Sequence, residues 1–300
     1  MTTASADVPN TEHRKGLAAA FIAAVLWSTG GIFIKLIPLG ALEISGLRSA
    51  LAALTILAIY RRGSLKLNWS IALNAAFYAG VMILFVVATK LTTAANAIFL
   101  QYTAPIYVLI FEPLALKTRF RKINLVAVVV SFAGMALFFM ERLSPSGLEG
   151  NLVALATGVF LAAFFIGLRR SPKEDKLPSV FWGNAFTTAL CLPAISSIEA
   201  ITFSDAWMIA ALGVFQIGVP YAVFSYAVER VEAIEASLIA MIEPVLNPVW
   251  VVIGYGEEPS TWAIVGGSVI LAGVAFRAVA AEILAKRRAR RGADPRSGVP

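Results

Sequence analysis

The chain has 300 residues, 59% hydrophobic and only 14% charged, with a mean hydropathy of +0.79. Soluble domains carry about 25% charged residues, so a water-facing globule of this size is excluded. The net charge of +7 and pI near 9.7 therefore point to a membrane surface and not to nucleic acid.

Residues 1–15 read as a polar tail ending in Arg14 and Lys15. The apolar run that follows would fit a signal peptide. It runs for about 19 residues to Lys35 and lacks a small-residue cleavage pattern, so it is read as the first spanning helix. Runs long enough to cross roughly 30 Å of hydrocarbon as helices recur down the chain. They fall at about 17–35, 41–60, 70–89, 93–112, 122–140, 151–169, 179–198, 206–228, 233–254 and 261–281. The expected fold is an all-α membrane protein of ten transmembrane helices. Residues 282–300 form a basic tail containing "KRRARR".

The fourth and ninth runs raise the first functional question. "AIFLQYTAPIYVLIFEPL" begins at Ala97 and "ASLIAMIEPVLNPVW" at Ala236, each with a proline near its middle, Pro105 and Pro244. One offset of 139 residues carries Pro105 onto Pro244 and also Gly134 onto Gly273. Two repeats follow, residues 16–140 and 150–281. With five spans each, the second must enter the membrane from the opposite side. Inverted repeats are a transporter architecture, with substrate bound near the midplane between the halves.

Orientation follows from the basic residues. Arg61, Arg62, Lys66, Lys117, Arg119, Arg121, Lys122, Arg169, Arg170, Lys173 and Lys176 fall on one side with both tails. The other side holds Lys35, Lys90 and Arg142 among several acids. The positive-inside rule puts both termini in the cytoplasm, in a bacterial inner (plasma) membrane.

Several stretches together carry a family resemblance. "WSTGGIFIK" (27–35), "EISGLRSALAAL" (43–54), "LTTAANAIFLQYTAPIYVLIF" (91–111) and "GYGEEPSTWAIVGGSVILAGVAF" (254–276) resemble the drug/metabolite transporter superfamily, EamA type. The likeness covers about 16–280. It implies ten helices in two inverted five-helix repeats, a central cavity, and export of amino acids or other small metabolites. The family's Gly-Glu after the fourth helix of a repeat is present as Gly256–Glu257, while the aligned first-half position is Thr118. "ATKLTTAANAIFLQYTAPIY" is most similar to members resembling aromatic amino-acid exporters.

Candidate site residues are the polar and aromatic groups inside these runs. A carboxylate deep in a span costs roughly 2.5–3.5 kcal/mol to insert, so Glu243 is expected to face a cavity, binding a substrate ammonium group or carrying a proton. Stepping by four puts Glu235, Ile239, Glu243 and Asn247 on one helix face. Trp27, Tyr78, Asn96, Gln101, Tyr102 and Gln216 complete the expected substrate-binding set, with Phe85 and Phe224 as further walls. Arg48 needs a partner that Glu43, five residues earlier, is badly placed to be, and is assigned a structural role with the hinge residues Pro105 and Pro244. Ala263 with Gly267, and Ala127 with Ser131, are small-residue pairs for close helix approach. Cys191 is the single cysteine and His13, in the tail, the single histidine.

No phosphate-cradling G-x-x-x-x-G-K-[ST] loop, Ser–His pair, metal cluster or Asp-rich diphosphate site is present in the sequence. No enzyme activity, cofactor or metal is expected. The partners are a small-molecule substrate and the lipid bilayer, with proton coupling tied to Glu243. A channel and a non-transporting receptor or scaffold remain the alternative classes.

Overall fold

The computed structural model of the chain describes residues 8–29, 31–60, 65–141, 147–246 and 260–292. It is helical, with no strand among these residues. The elements of the first half are α1 (Val8–Trp27), α2 (Gly31–Leu36), α3 (Ala41–Ile59), α4 (Trp69–Leu91), α5 (Ala94–Gln101), α6 (Ala104–Leu116) and α7 (Lys122–Phe139). The second half has α8 (Leu148–Arg170), α9 (Lys173–Ser196), α10 (Phe203–Ala211), a π-helical stretch (Leu212–Gly218), α11 (Val219–Ala227), α12 (Ala233–Ala240) and α13 (Thr261–Gly292).

Helix starts are written in local chemistry. The Asn68 side chain accepts the Ile71 N–H at 2.9 Å to open α4, and Thr93 accepts from Asn96 at 3.0 Å to open α5. Thr202 and Asp205 form a reciprocal box at the start of α10. Glu43 reaches back to the Gly40 N–H at 2.6 Å at the start of α3. That bond occupies the carboxylate nearest Arg48 in sequence.

Seven described stretches are long and apolar enough to cross a membrane. The three expected spans that fall short do so for visible reasons. The first half of α1 is the polar "VPNTEHRK", and its apolar run continues into the short α2. α9 carries Asn184, Thr187, Thr188 and Pro193 inside its apolar stretch. The ninth span runs into residues 247–259, outside the described set. The surface is apolar: Leu54, Leu114, Val129, Leu152, Leu190 and Phe215 are each more than half exposed. A soluble protein would bury most of them; a lipid-facing surface need not.

Packing is preserved when the halves are exchanged. α3 packs on α9 and α7 on α13. α4 packs on α8 as α11 packs on α1, and α5 and α6 pack on α8 as α12 packs on α1. The α7–α13 seam repeats this at residue level. A Cβ added at Gly134 would lie 2.8 Å from the Ile270 amide nitrogen, and one at Gly273 would strike Ser131 Oγ. The 139-residue offset turns each contact into the other. The close approach therefore uses Gly134, Gly266 and Gly273 with Ser131. Ala127 and Ala263 are also buried, whereas Gly267 meets Val245 instead.

The basic connections share one end of the bundle with the start of α1. Arg230 bonds Glu12 at 2.8 Å, Lys173 pairs with Glu229 at 3.3 Å, and Arg121 pairs with Glu232 at 2.9 Å. His13 lies within α1 and not in a loose tail. Its Nε2 is 3.1 Å from Glu235, which also accepts from Arg277 at 3.0 Å. Arg277, midway along α13, further donates to Asn124 at 2.5 Å and Glu232 at 2.6 Å, so α1, α7, α12 and α13 are tied together.

Candidate functional site

Three departures from α-helix meet at one place. At the α5–α6 junction the Thr103 hydroxyl turns back to the Leu100 carbonyl at 2.6 Å. Pro105, in the first turn of α6, then offers no N–H to the Gln101 carbonyl. α12 stops at Ala240, and Met241 bonds back to Leu238 at 3.1 Å. The chain is helical again over 242–246, where Pro244 denies a donor to Ala240. The π-helical stretch is the third, followed by Pro220 in the first turn of α11.

All three contribute to the wall of one cavity of about 490 Å³, open mouth included. Gln101 and Tyr102 come from the first break, Ala240 and Glu243 from the second, Gln216 and Ile217 from the π-helical stretch. Trp27, Arg48, Met82, Phe85, Phe165 and Tyr221 close the other sides. Irregular backbone at membrane depth is tolerated where it lines such a cavity. The aromatic wall is continuous: Trp27 lies 4.9 Å from Tyr221 and 5.1 Å from Phe224, and Tyr221 lies 4.8 Å from Tyr78.

The cavity's charges are unmatched. Arg48 is 1% exposed and donates to the Met82 carbonyl at 3.0 Å. Its Nε has no hydrogen-bond partner, and no carboxylate among the described residues pairs with it. Glu243 accepts one hydrogen bond, from the Tyr102 hydroxyl at 2.6 Å, and has no cationic partner among the described residues. Seven buried side-chain polar atoms lack partners among the described residues. Four of them line this cavity: Trp27 Nε1, Arg48 Nε, Gln101 Oε1 and Gln216 Oε1. Such groups are costly to leave unpaired, and they are concentrated here.

Of the residues expected at the site, Trp27, Gln101, Tyr102, Gln216 and Glu243 come together. Tyr78 lies behind the wall, packed on Phe164 and Tyr221, and its hydroxyl accepts from Asn184 at 3.2 Å. Asn96 is turned away from the cavity and donates to Asn151 on α8 at 2.9 Å. Asn247 lies outside the described residues. Phe85 lines the wall, while Phe224 packs behind Trp27. The stepping by four from Glu235 to Glu243 does not survive, because the helix is interrupted between them. Glu235 is 3% exposed and belongs to the network with His13 and Arg277.

Arg48, given a structural role from the sequence, lines the cavity, as does Tyr221; Tyr221 and Arg277 were not singled out in the sequence. Arg277 sits inside an oily run, and that intramembrane charge was signal enough. Tyr221 carried no local mark beyond Pro220 beside it.

Known proteins agree with this architecture. The model of the EamA-like transporter family matches twice, over residues 14–140 and 148–278. The chain belongs to the EamA-like transporter family. Its family relatives include an uncharacterized transporter of Archaeoglobus fulgidus, 26% identical over 87% of this chain and 95% of that protein. The threonine/homoserine exporter RhtA of Salmonella typhimurium is 26% identical over 74% of this chain and 77% of its own length. A crystal structure with 20% sequence identity matches with a TM-score of 0.76, covering 91% of this chain and 98% of that one, which shows a shared fold. This EamA-family chain is thus an integral membrane transporter for a small-molecule substrate, built from two copies of one helical unit.

Proposed function

We propose that this EamA-family protein is a secondary transporter that exports amino acids, or similar small zwitterionic metabolites, by alternating access of the cavity between two inverted five-helix repeats. The observation that carries the reading is the pair of unmatched charges in one cavity, Arg48 and Glu243. A zwitterion supplies both missing partners, its carboxylate to the guanidinium and its ammonium to the carboxylate. Trp27, Tyr102, Phe85 and Tyr221 give the side chain an apolar bed that suits aromatic or varied amino acids. The exporter activity named for RhtA supports the amino-acid class. The unpaired Gln101 Oε1 at the α5–α6 break and Gln216 Oε1 in the π-helical stretch support a site that closes on its substrate.

Counterflow in proteoliposomes tests the proposal. Labelled phenylalanine and threonine are loaded, and each is challenged with the free amino acid, its amide and its N-acetyl derivative. A hydrogen bond to a buried charge is worth about 1.5–3 kcal/mol, so each blocked derivative should compete roughly ten- to a hundred-fold less well. Equal competition by all three would remove the zwitterion reading.

A further inference from the structure

A second cavity lies at the end of the bundle that carries the start of α1. It holds about 1050 Å³, open mouth included, between the end of α6, the α6–α7 connection, the end of α8 and the start of α12. Four arginines line it, Arg119, Arg121, Arg169 and Arg170, against two glutamates, Glu112 and Glu232.

Both carboxylates are already committed. Glu112 is 6% exposed and accepts the N–H groups of Ala233 at 2.9 Å and Ile234 at 3.1 Å, where it caps α12. Glu232 is shared between Arg121 at 2.9 Å and Arg277 at 2.6 Å. Arg169 donates to the carbonyls of Val228 and Glu229, both at 3.2 Å, which fixes its guanidinium without neutralising it. Among the described residues Arg119 and Arg170 have no hydrogen-bond or ion-pair partner. Three guanidiniums therefore face the cavity without an anion. Beside them stands an apolar wall of Leu109, Pro113, Leu116 and Phe120, the last 54% exposed.

We propose that this cavity is a binding site for a phosphate-bearing anion, held by Arg119, Arg169 and Arg170 at the membrane surface. Planar guanidiniums bind phosphate oxygens in pairs, and committed carboxylates leave the cavity with a surplus of positive charge. A phospholipid headgroup and a soluble phosphate present the same chemistry. The exposed apolar wall suits a headgroup whose chains continue into the bilayer. A bound anion would bridge the α6–α7 connection to the end of α8, and so join the two halves beside α12. None of this depends on what the central cavity carries.

The test uses the full-length protein purified in detergent, with apparent melting temperature as readout. One arm adds short-chain phosphatidylglycerol against phosphatidylcholine; the other adds inorganic phosphate against chloride at equal ionic strength. Arg119→Gln with Arg170→Gln removes two guanidiniums that hold nothing else, so the variant should melt like the parent when no ligand is added. Stabilisation of the parent by phosphatidylglycerol alone assigns a headgroup, and stabilisation by both assigns phosphate. In either case the double variant should need at least about tenfold more ligand for the same shift. Two results overturn the site: no stabilisation of the parent by either probe, or an equal loss in a Lys66→Gln control, whose charge lies outside the cavity.

Discussion

Arg48 and Glu243 are both charges in an oily setting, yet they were unequally readable. Glu243 stands beside a proline in an apolar run, a purely local signal. Arg48 was legible as a buried cation, but the lack of a carboxylate near it is a tertiary fact. Asn96 shows the reverse, since its partner Asn151 lies 55 residues away and no local pattern separates glue from ligand contact. The two charges should fail differently when neutralised. Arg48→Gln should weaken transport of the free amino acid about tenfold or more and erase its advantage over the amide. Glu243→Gln should do the same for the advantage over the N-acetyl derivative. If Glu243 also carries the proton, flux in Glu243→Gln loses the pH dependence of the parent. Transport like the parent's from pH 5.5 to 8 would return Glu243 to a structural role. Melting temperatures close to the parent's are needed to read either result.

At the scale of elements, the sequence showed two prolines at matching places but not what they do to the chain. Each sits just after a break and leaves a carbonyl without its helical donor, at Gln101 and at Ala240. Pro105→Ala and Pro244→Ala restore those donors. Each should slow transport severalfold while expression and melting temperature stay nearly unchanged; parental rates in both would end the hinge role. The network at the other end is a separate device. His13 has its pKa raised from 6.5, first by its hydrogen bond to Glu235 against the opposing cost of burial, with Arg277 lowering it and Glu232 raising it. A raised folded-state pKa contributes stability that is full below about 6.5 and fades as pH climbs through the folded value. The parent should therefore melt a few degrees above His13→Ala at pH 5.5, and that gap should close by about pH 9. A gap independent of pH would mean the contact is packing alone. Arg277 stands out as a charge in an oily run, but its pairing with Glu235 and His13 was invisible in the sequence because the three are distant in the chain and His13 read as tail.

For the whole molecule, composition alone revealed a helical membrane protein, and one offset revealed the duplication. What composition could not supply was where helices stop: the polar start of α1 and the polar interior of α9 blur two expected spans. Orientation rests on the basic connections lying at one end with the start of α1. In a Cys191→Ser background, cysteines at the exposed positions Leu67 and Glu174 should be shielded from an impermeant thiol reagent in intact cells, and one at Glu199 should react. Ser171 would be a poor reporter, since it is 6% exposed and accepts a hydrogen bond from Asn74 at 2.6 Å. Labelling at Leu67 with protection at Glu199 would reverse the orientation.

The seam between α7 and α13 reads the same after the halves are exchanged, Gly134 against Ile270 and Gly273 against Ser131. A joint of that kind has no preference between two arrangements in which the halves trade conformations. Those two contacts contribute equally to the energy of both, and so cannot set their populations. The difference must come from positions where the repeats disagree. Glu243 corresponds to Ala104 and Arg48 to Thr187, so neither charge of the cavity has a charged counterpart in the other repeat. Under the alternating access proposed above, the resting bias of the cycle would be written in the mismatches between the repeats, while the matches keep both arrangements within reach.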